Sequence, residues 1–245
     1  METKEFILPY FKTGKALDAD LATLGFNLAF DEWPMDPDIE KTLIACSYEA
    51  IYFDNARNGG LLVDWITAHH SKLNVDRLIK LITQLHEEPL FWVKAFWCAN
   101  AQRLEKKDTR FRRLADFYRG QEFDFVERKK VPTDFGITDM YIRLHGEDER
   151  FIGTCFRLSK NIFRNRPRDI RPVRAIQKRH KGFRFRTMFG PNYRADVWAL
   201  LYRDPTLTGY RLAKIALCSE PSALSIKKDY EDVKRDYSNR KTNAA

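Results

Sequence analysis

The stretch "TGYRLAKIALCSEPSALSIKKDYEDVK", residues 208–234, has the spacing of two short helices joined by a sharp turn. Thr208 can cap the first helix, and Ser219 can cap the second, whose first turn tolerates Pro221. Apolar residues of the second helix recur at intervals of three and four and share its inward face: Ala223, Ile226, Tyr230 and Val233. The stretch therefore predicts a helix-turn-helix near the end of this sequence.

The outward face of the second helix is the part that would meet a partner. It carries Pro221, Leu224, Ser225, Lys228 and Arg235. In a helix-turn-helix this face enters the major groove of DNA, where hydroxyl and ammonium groups contact base edges. We expect Ser222, Ser225 and Lys228 to read bases. The alternative is a pair of helices that serves only packing or dimerisation.

The wider C-terminal sequence supports the first interpretation. The run "MFGPNYRADVWALLYRDP", followed by "LTGYRLAKIALCSEPSALSIKKDYEDVK", resembles the winged-helix or MarR-like helix-turn-helix module of bacterial regulators, including antitoxins. "RADVWALLY" matches the support helix, and Arg211-Leu212-Ala213 stands at the "ELA" position. The sequence departs from the pattern at Leu217, where Gly is usual, and at Ala223, where Val or Ile is usual. No strand-like wing follows Val233. The resemblance implies a DNA-binding transcriptional regulator.

The positive charge of the chain is concentrated in one segment. Between Arg157 and Arg186, twelve basic residues stand against one acid, Asp169, while the whole chain carries a net charge of +9. The planar arginine fork suits phosphate oxygens, so this pattern favours a surface that follows a nucleic-acid backbone. The expected phosphate-binding residues are Arg164, Arg166, Arg168, Arg171, Arg174, Lys178, Arg179, Lys181, Arg184 and Arg186. A solvated basic connector is the alternative.

The first 120 residues have the periodicity of a helical bundle, since apolar residues recur at spacings of three and four. We expect helix caps at Asp38 and Asn74. "EEPLFWVKAFWCANAQRL" presents a thick aromatic face around Trp92, Phe96 and Trp97. That face forms either the core of the monomer or a dimer interface.

The periodicity changes after residue 120. "DMYIRLHG" and "RFIGTCFRL", around the turn-like "HGEDE", predict a small β-hairpin, and "RNRPRDIRPVR" is the best linker candidate. The predicted fold is mainly α, with a helical bundle domain at 1–120, a β-hairpin and basic arginine-rich connector at 121–186, and a (winged) helix-turn-helix domain at 187–245.

The cysteines and the N-terminus indicate the cellular compartment. Four widely spaced cysteines form no CxxC pair, which favours reduced thiols. The N-terminal residues lack the pattern of a signal peptide, and no window is apolar enough to cross a membrane. We expect a cytoplasmic protein without membrane association.

Motifs for catalysis are absent from the sequence. His69 and His70 are adjacent, so on a helix they point about 100° apart and cannot chelate one metal as an i, i+4 pair does; we interpret them as solvated helix-end residues. "DNARNGG" lacks the GKS or GKT of a P-loop and is interpreted as a helix junction. No catalytic residue, metal or cofactor is predicted.

The favoured hypothesis is a regulator that binds double-stranded DNA as a homodimer, with phosphate contacts for affinity and base contacts for selection. It could regulate its own expression or act as an antitoxin, and its N-terminal domain could bind a protein. A second hypothesis is an antitoxin-like or adaptor module that binds a protein. Carboxylates distant in sequence can converge in space, so a nuclease stays open as a third hypothesis.

Overall fold

The computed structural model of the chain describes residues 12–29, 34, 36–85, 90–125 and 137–242. The predicted mainly-α fold is confirmed, because these residues form twelve α-helices and a single two-stranded sheet. The first six helices are α1 (Gly14–Thr23), α2 (Ile39–Tyr52), α3 (Ala56–His69), α4 (Val75–Thr83), α5 (Phe91–Leu104) and α6 (Arg112–Ala115). The others are α7 (Ile137–His145), α8 (Val173–Arg179), α9 (Lys181–Phe189), α10 (Tyr193–Arg203), α11 (Gly209–Ala216) and α12 (Glu220–Thr242).

Side-chain caps fix the starts of three bundle helices, α2, α3 and α4. Asp38 accepts a hydrogen bond from the Lys41 amide at 3.1 Å, and Asn74 accepts one from the Arg77 amide at 3.2 Å. Both predicted caps are therefore confirmed. Asn55 caps α3 in the same way, so "DNARNGG" does form a helix junction, although its two glycines lie inside the helix.

The larger hydrophobic core fills the space among the helices from α1 to α6 and continues into later segments. Phe96 and Trp97 are both 1% exposed, and Trp92 packs against the same core. The aromatic face is thus core, and a dimer interface through Phe96 and Trp97 is excluded by their burial. Rings from the middle of the chain cover it: Phe125, Phe156 and Phe163.

The small amount of β structure is present, but its form differs from the predicted hairpin. Strands β1 (Phe123–Asp124) and β2 (Phe156–Arg157) pair in parallel. The segment "DMYIRLHG" lies within α7 and its end, and an isolated antiparallel bridge joins Glu147 to Ser159. The segment is a helix and not a strand because the apolar residues of α7 also fit a 3.6-residue period.

A smaller core lies between α10, α11 and α12. Its buried side chains are Val197, Leu201, Leu207, Leu212, Ala213, Ala216 and Ala223. Trp198 on α10 packs edge-on against Phe189 of α9 and Tyr230 of α12, with ring centroids 4.9 and 5.2 Å apart. Aromatic contacts therefore connect this three-helix unit to the helix that precedes it. No helix in the described residues is long and apolar enough to cross a membrane.

Candidate nucleic-acid interface

The basic segment comprises residues 157–186, and its residues 164–171 run along α3 in the same direction as that helix. The Arg164 carbonyl lies against Gly60, and the Arg166 amide donates to the Asp64 carboxylate at 2.5 Å. At the other end of α3, His69 Nε2 bonds the carbonyl of Arg171 at 3.0 Å. From Gly60 to His69 the helix axis rises by about 14 Å. Measured along the axis of B-DNA, that length corresponds to about four phosphates of one strand.

Further backbone bonds attach the same segment to the end of α1. The Arg171 amide donates to the Gly25 carbonyl at 2.8 Å, and the Asn27 amide donates to the Asp169 carbonyl at 2.8 Å. Ile170 forms an isolated bridge with Phe26. The segment "RNRPRDIRPVR", predicted as a linker, is packed against the bundle: Pro167 and Pro172 stand at helix starts, and backbone polar groups between them pair with the bundle.

Glycines in α3 make this close approach possible. A Cβ on Gly59 would lie 2.4 Å from the Phe163 ring, and one on Gly60 would lie 2.4 Å from the Arg164 carbonyl oxygen. Contacts this short are sterically forbidden, so any larger residue would push the basic segment off the helix. The two glycines thus position the first arginines of the segment.

Most of the predicted phosphate-binding side chains reach solvent. The exposed ones are Arg164, Arg166, Arg168, Arg174, Lys178, Arg179 and Arg184. Arg171 and Lys181 are half-buried. The segment therefore offers a series of cations on a backbone that is fixed to the bundle.

Arg186 is the exception, and its assignment to phosphate binding is wrong. It is 2% exposed, donating to Glu40 at 2.5 Å and to Asp196 at 2.8 Å. Glu40 belongs to α2 and Asp196 to α10, so the acceptors approach Arg186 from two different helices. A guanidinium enclosed between two carboxylates cannot contact DNA.

Arg186 belongs to a buried ionic network that joins the bundle to the C-terminal unit. Arg77 on α4 donates to Glu40 at 2.7 Å and also pairs with Asp38. Burial opposes the ionisation of Glu40, yet the guanidinium groups of Arg186 and Arg77 hold its pKa below the usual value. Burial raises the pKa of Asp196, which Arg186 partly offsets. Such a network is costly to break, since removal of one partner leaves a buried charge unpaired.

No sequence pattern indicates this network. Glu40 and Arg77 stand in ordinary amphipathic helices, where a charged residue usually faces solvent. Their pairing depends on how α2, α4, α9 and α10 meet in space. The one local signal is a charged residue at a position that the helical period places on an apolar face.

Two histidines are buried, His180 within the basic segment and His69 beside it. His69 is 3% exposed, so its interpretation as a solvated residue is wrong; its ring packs edge-on against Trp65 and Phe183. His180 is 2% exposed, and its Nε2 donates to the Pro37 carbonyl while its Nδ1 accepts from the Phe183 amide. Burial lowers the pKa of both imidazoles. The Arg171 carbonyl offsets this in part at His69, and the Asp36 carboxylate and the Pro37 carbonyl offset it in part at His180.

In the C-terminal unit, a sharp turn joins α11, of eight residues, to α12, of 23 residues. Thr208 caps α11 by accepting from the Arg211 amide, and Ser219 caps α12 by accepting from the Ser222 amide, both at 3.3 Å. Leu217 occupies the turn with φ 58° and ψ 37°, a left-handed conformation that favours Gly. The position where the resemblance expects glycine is therefore left-handed here as well, although it carries a side chain.

Two cations of α4 hold this turn. Arg77 donates to the carbonyl of Ile215 at 3.2 Å, and Lys80 donates to that of Leu217 at 2.7 Å. Positive groups at the end of α11 also complement the negative end of its dipole. The turn between α11 and α12 is thus attached to the bundle by direct hydrogen bonds.

The predicted base-reading residues lie on the exposed side of α12. Ser222, Ser225 and Lys228 are all exposed, while Ala223 is fully buried beneath them. The Ser222 hydroxyl lies 2.7 Å from that of Ser219, so it also takes part in the cap. Further along, Asp229 is paired with Arg194 at 2.8 Å, which partly neutralises an acid beside this face.

Comparison with protein-family models, curated proteins and solved structures gives no match to this chain. The described residues contain no group of three His, Cys, Asp or Glu side chains that could hold a metal ion. Within the same residues α12 runs on to Thr242, and no wing follows the turn.

Proposed function

We propose that the protein is a DNA-binding transcriptional regulator of the cytoplasm. The observation that carries this proposal is the α11–α12 unit, in which a left-handed turn at Leu217 presents an exposed polar face containing Ser225 and Lys228. A helix with this position and face is the element that enters the major groove in helix-turn-helix proteins. Its side chains select the sequence.

The basic segment supplies the other half of the interaction. Its exposed cations, from Arg164 to Arg184, contact phosphates and contribute affinity for every DNA sequence. Since the segment is bonded to α3 and the turn is bonded to α4, phosphate contacts and base contacts are held in a fixed relation. Fixed geometry lowers the cost of ordering the protein on DNA.

A homodimer completes the proposal. One recognition helix contacts only a few base pairs, and two-fold dimers reach useful specificity by reading two half-sites about 34 to 36 Å apart. The dimer contact must involve a surface other than the buried rings of Phe96 and Trp97. Autoregulation and an antitoxin role remain within this proposal.

Selection from genomic DNA fragments by the full-length protein, at near-physiological salt, tests the function. We expect enrichment of one short, approximately palindromic site, bound in the range of about 10⁻⁸ to 10⁻¹¹ M. Recovery of random fragments at high and low salt alike would contradict sequence selection.

A second candidate function is binding of a protein partner, as in an adaptor. The observation that favours it is an exposed apolar face on α7, where Met140 is 50% and Leu144 is 68% exposed. Apolar groups of this size on one short helix are typical of an interaction surface. Binding through this face would depend weakly on salt, whereas DNA binding weakens steeply as salt rises.

A further inference from the structure

A cavity of about 400 Å³ lies where the basic segment first meets α3. Three arginines and one carboxylate line it, so its net charge is positive. The lining residues are Asp54, Asn55, Ala56, Arg57, Arg164 and Arg166. The volume falls within the range of roughly 300 to 1,000 Å³ that is typical of pockets for small ligands. A phosphate contact on a flat surface needs no such enclosed volume.

The backbone behind these arginines is rigidly held. The Phe163 ring covers Gly59, and the Arg166 amide donates to Asp64. Arg150 donates to the Phe163 carbonyl and lies 3.5 Å from the same Asp64 carboxylate. Arg164 and Arg166 therefore project from a fixed backbone, which reduces the entropy cost when they bind a ligand.

The first turn of α3 contributes to the same cavity. Asn55 uses its side chain to cap the Asn58 amide, while Ala56 and Arg57 occupy the first turn of a 14-residue helix. The amides at a helix start carry partial positive charge. Arg57 thus adds a full positive charge opposite Arg164 and Arg166. The partial positive charge at the start of α3 has the same sign as these three side chains.

We propose that this cavity binds a phosphate group. Guanidinium groups bind phosphate oxygens with two parallel hydrogen bonds each, and an oxyanion in the cavity would be surrounded by three of them. The phosphate belongs either to the DNA backbone, in which case the site rests on the function proposed above, or to a free phosphorylated small molecule.

Calorimetric titration of the full-length protein with pyrophosphate tests the site. We expect binding that becomes about tenfold weaker or more in the double variant Arg57→Gln, Arg164→Gln, because it removes two bidentate partners. The matched control is Arg112→Gln, Arg113→Gln, two exposed arginines of α6 that should leave the affinity unchanged. Asp54→Asn should tighten binding, since it removes a negative charge from the lining.

Absence of pyrophosphate binding to the native protein, or an equal decrease in both double variants, would overturn the proposal. Titration with duplex DNA separates the two sources. If the DNA backbone supplies the phosphate, pyrophosphate competes with DNA and the Arg57, Arg164 variant flattens the salt dependence by about two units. If a free ligand supplies the phosphate, neither added pyrophosphate nor the Arg57, Arg164 substitutions change the affinity for DNA. Pyrophosphate binding without any DNA binding would retain this site and refute the proposed function.

Discussion

Arg184 and Arg186 are two residues apart on α9, yet their environments are opposite. Arg184 is exposed, whereas Arg186 is enclosed between Glu40 and Asp196. Helical geometry turns neighbouring positions by about 100°, so two residues separate the solvent face of α9 from its buried face. The same residue type therefore has an interaction role at one position and a stabilising role at the other.

Replacement of these two arginines separates the roles. Arg186→Ala leaves Glu40 and Asp196 buried with one cation fewer, and we expect it to lower the free energy of unfolding by about 3 to 5 kcal/mol. Arg184→Ala should change it by no more than about 0.5 kcal/mol, as exposed substitutions usually do, and should weaken DNA binding. Urea unfolding and fluorescence anisotropy with labelled DNA measure both effects. Equal stability of the two variants would contradict the network.

His180 makes stability depend on pH. Its Nδ1 accepts the Phe183 amide and caps α9, which requires the neutral ring. Burial lowers its pKa in the folded protein, so the unfolded chain takes up a proton first as the pH falls. The contribution of neutral His180 to the unfolding free energy should therefore be complete above about pH 6.5 and should decrease as the pH falls below that value.

Urea denaturation between pH 5 and 8 measures this dependence. His180→Asn keeps an oxygen acceptor for the cap but removes the titrating group, so it should flatten the curve in part. The remaining slope belongs to His69, whose pKa burial also lowers. An unchanged slope in the double variant His69→Asn, His180→Asn would contradict this origin.

Among the elements, α12 has one face that packs in the smaller core and one that is exposed to solvent. Ala223 is buried in the small core, and Ser225 and Lys228 are exposed on the other side. Gly209 lets α11 approach this helix closely, because a Cβ there would lie 2.3 Å from Leu224. Leu224, predicted on the outward face of α12, therefore packs against α11 where the two helices cross.

The double variant Ser225→Ala, Lys228→Ala tests that separation. Its thermal midpoint should stay nearly fixed, whereas its specific affinity should fall by about 1 to 3 kcal/mol for each base interaction that the substitutions remove. Non-specific binding, which depends on the arginines, should change little. Ala223→Asp is the control that should unfold the unit, since it places an unpaired charge in the core. Full sequence discrimination by a stable double variant would make α12 a packing element.

Local patterns in the sequence predicted much of this architecture. The caps at Asp38, Asn74, Thr208 and Ser219 were readable because each depends on a residue type within three positions of the group it bonds. The sequence did not predict the burial of Arg186 and His69 or the attachment of the basic segment to the bundle. Their environments come from helices distant in the chain, and a basic or imidazole side chain carries no local sign of burial.

On the scale of the whole molecule, the two hydrophobic cores are joined by charges. Asp196 of α10 bonds both Arg186 and the side chain of Asn74, and Arg77 reaches the end of α11. These bonds cross between the larger core and the smaller one. Either unit alone would expose half of the network.

Thermal unfolding of the full chain should therefore occur in a single cooperative transition. Differential scanning calorimetry should give one peak whose calorimetric and van't Hoff enthalpies agree, because opening either core breaks the shared ion pairs. Arg77→Met should divide the peak or broaden it. Two separate transitions in the unaltered protein would show that the helix-turn-helix is independent of the bundle.

In the function proposed here, the basic segment follows DNA phosphates while the exposed face of α12 selects the sequence. The most direct measurement is the salt dependence of DNA affinity, by fluorescence anisotropy, for the variant Arg168→Ala, Arg174→Ala, Lys178→Ala, Arg184→Ala. We predict that the slope of log K against log salt flattens by about 3 to 4. The control variant Lys106→Ala, Lys107→Ala, Arg112→Ala, Arg113→Ala removes the same charge from another exposed surface and should keep the native slope. Equal slopes for the two variants would contradict the claim.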